Sequence, residues 1–160
     1  MWLYVIFGGI ALGAKIFDLM VVAGAWGASP PASFVHLPYG KEFPIDPGTF
    51  FQPLSAVVLI GIIGALIGGW KSEDRVWLLI PFITFIAIWA ITPAIFWPMI
   101  NEFWGIHKGR LERSDADILS LVHRWKMWDL FRIGLTAVGF LSSLRALAGP
   151  LVPKGKTVLL

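Results

Sequence analysis

Four stretches of this chain are each long and apolar enough to cross a bilayer, and this bounds the fold before any motif is considered. A hydrocarbon core about 30 Å thick takes about 20 residues of helix to cross. The stretches run from about Trp2 to Ala28, Phe50 to Trp70, Val76 to Ile100 and Leu119 to Ala148. They predict an all-α, four-helix transmembrane bundle, with residues 1–160 forming one integral membrane domain. The connector Lys71-Ser72-Glu73-Asp74-Arg75 is too short for anything but an antiparallel step, so neighbouring helices alternate in direction and both termini fall on one side. Composition agrees, since 14% charged residues is well below the roughly 25% of a soluble domain. The first stretch lacks a basic leader and exceeds the length of a signal h-region, so it is expected to be a retained helix.

Several function classes drop out early. Lys and Arg are scattered and form no aromatic-interleaved basic platform, so no nucleic-acid partner is expected. Cysteine is absent, which removes disulfides, thiolate metal sites and cysteine nucleophiles. No Gly-rich phosphate loop or nucleophile elbow is present. The lipid bilayer is the expected environment, and a bacterial inner membrane the expected location. Lys71, Arg75, Arg145, Lys154 and Lys156 on the terminal side nearly balance Lys41, Lys108, Arg110, Arg113, Arg124 and Lys126 on the other, so the positive-inside rule assigns no orientation. Small-xxx-small spacings at Gly9/Gly13, Gly61/Ala65 and Gly64/Gly68 let helices approach closely, within the bundle or in a homo-oligomer. Tryptophans near the helix ends, Trp26 and Trp125 among them, fit an interfacial aromatic belt.

Four charged residues interrupt the apolar runs: Lys15 and Asp18 in the first, Asp129 and Arg132 in the fourth. A charge near the middle of a membrane helix costs at least about 2.5–3.5 kcal/mol, so such residues face a partner or a polar cavity. Asp18 lies about 15 Å below the end of helix one, and Asp129 lies at a similar depth below the start of helix four. Lys15 and Arg132 are each about one turn deeper, and each pair shares a helix face at i,i+3. Matched depth predicts the interhelical pairs Asp18–Arg132 and Lys15–Asp129. The network reads equally as a fastening between helices and as a substrate or proton site.

On helix four, Trp125, Trp128, Asp129 and Arg132 fall at i, i+3, i+4 and i+7, a stripe that could hold an aromatic ligand by stacking and cation–π contact. His36, in a loop with Tyr39, Glu42 and Asp46 nearby, and His123, on helix four, are candidate general bases or axial haem ligands. His107 belongs to a solvated loop. No metal-binding spacing links the histidines, so no metal is expected. Asn101, with Gln52, Ser55 and Glu102, caps a helix on this side and extends the polar region.

One segment runs Phe96-Trp97-Pro98-Met99-Ile100-Asn101. After a variable loop comes His123-Arg124-Trp125-Lys126-Met127-Trp128-Asp129-Leu130-Phe131-Arg132. This pattern resembles the anthrone oxygenase-like family of four-helix membrane proteins, in which Pro and Asn end helix three and a Trp and an Arg seven residues apart open helix four. The His36-Leu37-Pro38 segment is similar to that family's His-Pro motif. The resemblance implies cofactor-free oxygenation of anthrones to anthraquinones. The chain departs from it at the Pro98–Asn101 spacing and at Asp129, where many members carry Asn or His.

Three functions compete. The first is an enzyme acting on a lipophilic, aromatic small molecule, a cofactor-independent oxygenase or isomerase. Its expected catalytic residues are His36, Asp129 and Arg132, and its substrate would be bound by Lys15, Asp18, Asn101, His123, Trp125 and Trp128. The second is a haem-binding membrane protein such as a small epoxide isomerase. The third is a non-catalytic subunit of a membrane complex.

Overall fold

The computed structural model describes residues 1–39 and 46–148. Lys41, Glu42, Lys154 and Lys156 lie outside these described residues. The described chain forms four helices long and apolar enough to cross a membrane: α1 (Trp2–Trp26), α2 (Pro47–Gly69), α3 (Arg75–His107) and α4 (Asp115–Ala148). There is no strand among the described residues. α1 packs against α2 and α4, and α3 packs against α2 and α4, closing an antiparallel bundle. Its inner faces carry two apolar clusters. Trp26, Phe34, Phe103 and Trp125 lie toward the long-loop end, and Tyr4, Val58, Ile62 and Phe85 toward the terminal end.

The helix boundaries have local causes. Asp46 caps α2, its Oδ1 accepting from Thr49 N at 2.9 Å, and Pro47 follows at the first helical position, where its missing N–H costs nothing. Gln52 and Ser55 therefore lie inside α2 rather than at its cap. Ser114 starts α4: its Oγ accepts from Asp117 N at 3.2 Å and donates to Asp117 Oδ2 at 2.7 Å. α3 runs past its expected end to His107, so Asn101 and Glu102 are interior helical residues. At 1.5 Å per residue α3 and α4 are each about 50 Å long, against about 30 Å of hydrocarbon. The excess of α3 lies at the long-loop end, because residues 70–74 tie its other end tightly to α2.

Two π turns interrupt the helices at that end. In α1, Asp18–Val22 forms one, closed by Ala23 N donating to Asp18 O. In α3, Thr92–Phe96 forms the other, closed by Trp97 N donating to Thr92 O. Pro93 explains the second, because it lacks the N–H that a regular helix would use there. Among the glycines, Gly61 marks the tightest approach of α2 to α1: a Cβ there would lie 2.8 Å from Tyr4 N. Gly64 and Gly68 meet nothing within 4 Å.

Candidate functional site

The loop after α1 folds back over the end of the bundle as a strap. Its 3-10 turn, Ala32–His36, is fixed to the end of α1 by Ser33 Oγ, which donates to Trp26 O at 2.6 Å. Three residues per turn place Phe34 and Leu37 on one side, and both are wholly buried. His36 lies off that side and is exposed. Tyr39 follows and is buried too. Trp104 Nε1, from the extension of α3, donates to Tyr39 O and holds the strap in place.

Beneath the strap is a box of aromatic rings. Trp26 and Trp125 meet edge-on with centroids 5.0 Å apart. Phe103 lies 5.1 Å from Trp26, Phe96 lies 5.5 Å from Trp125, and Tyr39 lies 5.9 Å from Trp125. Trp26 and Trp125 were expected in an interfacial belt. They are instead 0% and 1% exposed, because the strap and the end of α3 cover the positions a headgroup layer would otherwise occupy. Trp2, Trp70 and Trp97 are exposed, as belt residues are.

The four charges lie deeper than the box, from Asp129, one turn beyond Trp125, to Lys15, about three turns before Trp26. Asp129 is 0% exposed. Arg132 donates to Asp129 Oδ1 from Nε at 2.9 Å and also from Nη2. Its guanidinium stacks on the Phe96 ring, 4.0 Å from the centroid. Asp18 accepts from the Tyr39 hydroxyl at 3.3 Å. Lys15 lies 5.0 Å from the centroid of the Phe51 ring. All four groups interact electrostatically with one another, so the quartet is one site. The expected pairing across helices is replaced: Arg132 takes the partner one turn away on its own helix, and the strap supplies the donor for Asp18. An i,i+3 pair needs no alignment between helices, which favours it over an interhelical pair at equal depth.

Among the described residues, the buried atoms Asp129 Oδ2, Trp26 Nε1 and Trp125 Nε1 find no hydrogen-bond partner. Such atoms are rare in native proteins and call for a reason, among them a catalytic role. Tyr39 lies outside the spanning helices. Burial, reinforced by the Asp18 charge, pushes its phenol well above the usual tyrosine range, so it remains a donor.

The structure thus brings together Lys15, Asp18, Trp125, Asp129 and Arg132. Trp128 is half-buried at the edge of the box and pairs with Phe131 at 5.8 Å rather than with the guanidinium. Asn101 and His123 are exposed on α3 and α4, and His107 is exposed at the last residue of α3 rather than in a loop. Sequence reasoning gave Phe96, Phe103 and Phe34 no place in the site and treated Tyr39 only as a neighbour of His36. The available signal was the i,i+3 spacing of Phe34 and Leu37 in a segment otherwise read as loop. No group of three or more potential metal-binding side chains occurs among the described residues.

A family model described as anthrone oxygenase matches residues 45–142, more than half of the chain. The match includes Phe96, Trp125, Asp129 and Arg132, whereas Lys15, Asp18, His36 and Tyr39 lie before it. No curated protein and no solved structure matches the chain.

Proposed function

The chain belongs to the anthrone oxygenase family, and from that premise we propose a membrane-embedded oxygenase that converts an acidic methylene of a lipophilic aromatic ketone to a carbonyl. The observation that carries this reading is Asp129: a wholly buried carboxylate with one oxygen fixed by Arg132 and the other unpaired beside an aromatic box. A base needs an unengaged lone pair at a fixed position, and Oδ2 has one. We assign the base to Asp129 rather than His36 because the histidine lies on the outer side of the strap.

A planar aromatic substrate would enter by parting the rings of Trp26, Phe96, Phe103 and Trp125, which pack on one another, and would then be held by edge and face contacts with them. Asp129 Oδ2 takes a proton from the methylene. The carbanion is delocalised onto the ketone oxygen, and the positive charges of Lys15 and Arg132 stabilise that oxyanion without reorganising. Tyr39 donates its hydroxyl proton to Asp18 and holds that carboxylate in place beside the site. Oxygen then forms a C–O bond at the carbanion carbon, and the peroxide anion takes back the proton held by Asp129, giving a hydroperoxide. Loss of the second C–H proton with O–O cleavage yields the carbonyl and water. The balance is CH2 + O2 → C=O + H2O, with O2 the oxidant and no other electron donor required.

The test is oxygen uptake and quinone formation by the detergent-purified protein with a hydroxylated anthrone, expected one to one. Asp129→Asn should lower turnover by about 10²–10⁴, the usual contribution of a general base. His36→Ala and His107→Ala should leave it within a small factor of wild type. Unchanged turnover in Asp129→Asn removes that residue as the base, and loss in His36→Ala moves the role to the strap.

A further inference from the structure

A second site lies outside the quartet, on the face of α4 that turns away from α1. A polar cleft of 280 Å³ between the end of α3 and the start of α4 is lined by Glu102, Arg113, Asp117, Ser120 and Arg124, among others. An apolar groove of 320 Å³ is lined by Arg124, Met127, Trp128 and Phe131. Arg124 belongs to both, so the two cavities meet at its side chain. The groove residues recur at i, i+3, i+4 and i+7, so they form one stripe about 10 Å long running down α4 from Arg124.

Within the cleft, most charges are already engaged. Arg113 Nη2 pairs with Glu102 Oε1 at 3.1 Å, and Asp117 accepts from Ser114 Oγ at 2.7 Å. Arg124 is the cation of the cleft that has no ion pair among the described residues. A free guanidinium at the top of an apolar groove is complementary to an anionic head carried on an acyl chain. Depth agrees. Arg124 is about 14 Å along α4 from Asp115, and α4 exceeds the hydrocarbon thickness by about 20 Å, which sets this residue near headgroup level.

We propose that Arg124 and the Met127–Trp128–Phe131 groove bind one anionic phospholipid of the surrounding bilayer, with its headgroup phosphate on the guanidinium and Ser120 and one acyl chain along the groove. The site does not depend on the oxygenase reading, and its occupancy is measured without turnover.

Native mass spectrometry of the protein released from vesicles of mixed anionic and zwitterionic phospholipid tests it. Wild type should retain one anionic phospholipid. Arg124→Gln should reduce that retention roughly fivefold, the factor expected for one basic residue at the membrane surface. Phe131→Ala, which shortens the groove, should reduce it as well, and Arg110→Gln, an exposed cation on the same side, should not. The surface position of Arg124 makes misfolding a minor concern, and an unchanged thermal midpoint in Arg124→Gln checks this. Equal retention by Arg124→Gln and wild type overturns the proposal, as does equal retention of the zwitterionic lipid. Retention of free fatty acid in place of phospholipid overturns the phosphate assignment. Stabilisation by inorganic phosphate with no lipid retained overturns the role of the groove.

Discussion

Arg132 donates to Asp129 Oδ1 through both Nε and Nη2, leaving Oδ2 of the same carboxylate buried and unpaired. The arrangement fixes the carboxylate while sparing one lone pair. It also couples the stability of α4 to a charge pair whose carboxylate is wholly buried. Arg132→Leu should therefore destabilise the protein by about 3–5 kcal/mol, since it removes one partner of a buried ion pair. The double variant Asp129→Leu/Arg132→Leu should recover most of that loss while remaining without turnover. Denaturation in mixed micelles measures both. A double variant no more stable than the single would mean that the pair does not act as a unit.

Tyr39 gives a prediction in pH. Its phenol is raised in the folded state by burial and by the Asp18 charge. Below about pH 10 the phenol is protonated folded and unfolded alike, and its contribution to stability is constant. Above that the unfolded state releases the proton first, so the native state binds more protons and stability falls as pH rises. Wild type should lose stability above about pH 10 more steeply than Tyr39→Phe. Parallel pH profiles would show that the phenol is solvated.

The absorption spectrum of the purified protein separates two chemistries. The oxygenase reading requires no prosthetic group, and all three histidines are exposed at the surface of the bundle. The expected spectrum is that of the tryptophans, with no Soret band. A Soret band that disappears in one of the histidine variants would replace the carbanion mechanism with haem chemistry at that residue.

Gly61 tests the packing of α2 on α1. A Cβ at this position would press on the backbone of Tyr4. Gly61→Ala should lower the thermal midpoint, and Gly64→Ala, which meets open space, should not. Equal midpoints would mean that the two helices can separate without cost.

The antiparallel order places residue 73 and residue 115 on opposite sides of the membrane. Single cysteines introduced there should label from opposite sides in sealed vesicles, and labelling from one side would reject the topology.

The bundle itself was legible in the sequence because spanning length and a five-residue connector leave few alternatives. Its ends were less so. α3 continues to His107 because Phe103 and Trp104 still find partners in the strap, beyond the reach of any criterion based on lipid contact. Depth along a helix could be read from residue counts, and it correctly grouped Lys15, Asp18, Asp129 and Arg132. Direction around the helix could not, because a π turn at Asp18 alters it and nothing in the local sequence announces that turn. Asp18 takes its donor from Tyr39 of the strap, and Arg132 takes Asp129 on its own uninterrupted helix. Tyr39 was hidden for another reason: a strap is held by a few buried side chains, which leave no periodic pattern.

The π turns also have a consequence for how the box is phased. Each holds one residue more than a regular helix would need, and the wider turn absorbs it, so the helix beyond keeps its direction. Deleting a single residue between Leu19 and Val22 would restore a regular helix and leave Trp26 facing Trp125. Inserting one residue into the regular stretch before Trp26 would instead turn everything beyond it by roughly 100°, while Lys15 kept its place. The aromatic box and the charged quartet can therefore be turned out of step with each other by addition and not by subtraction, without altering any side chain that belongs to either.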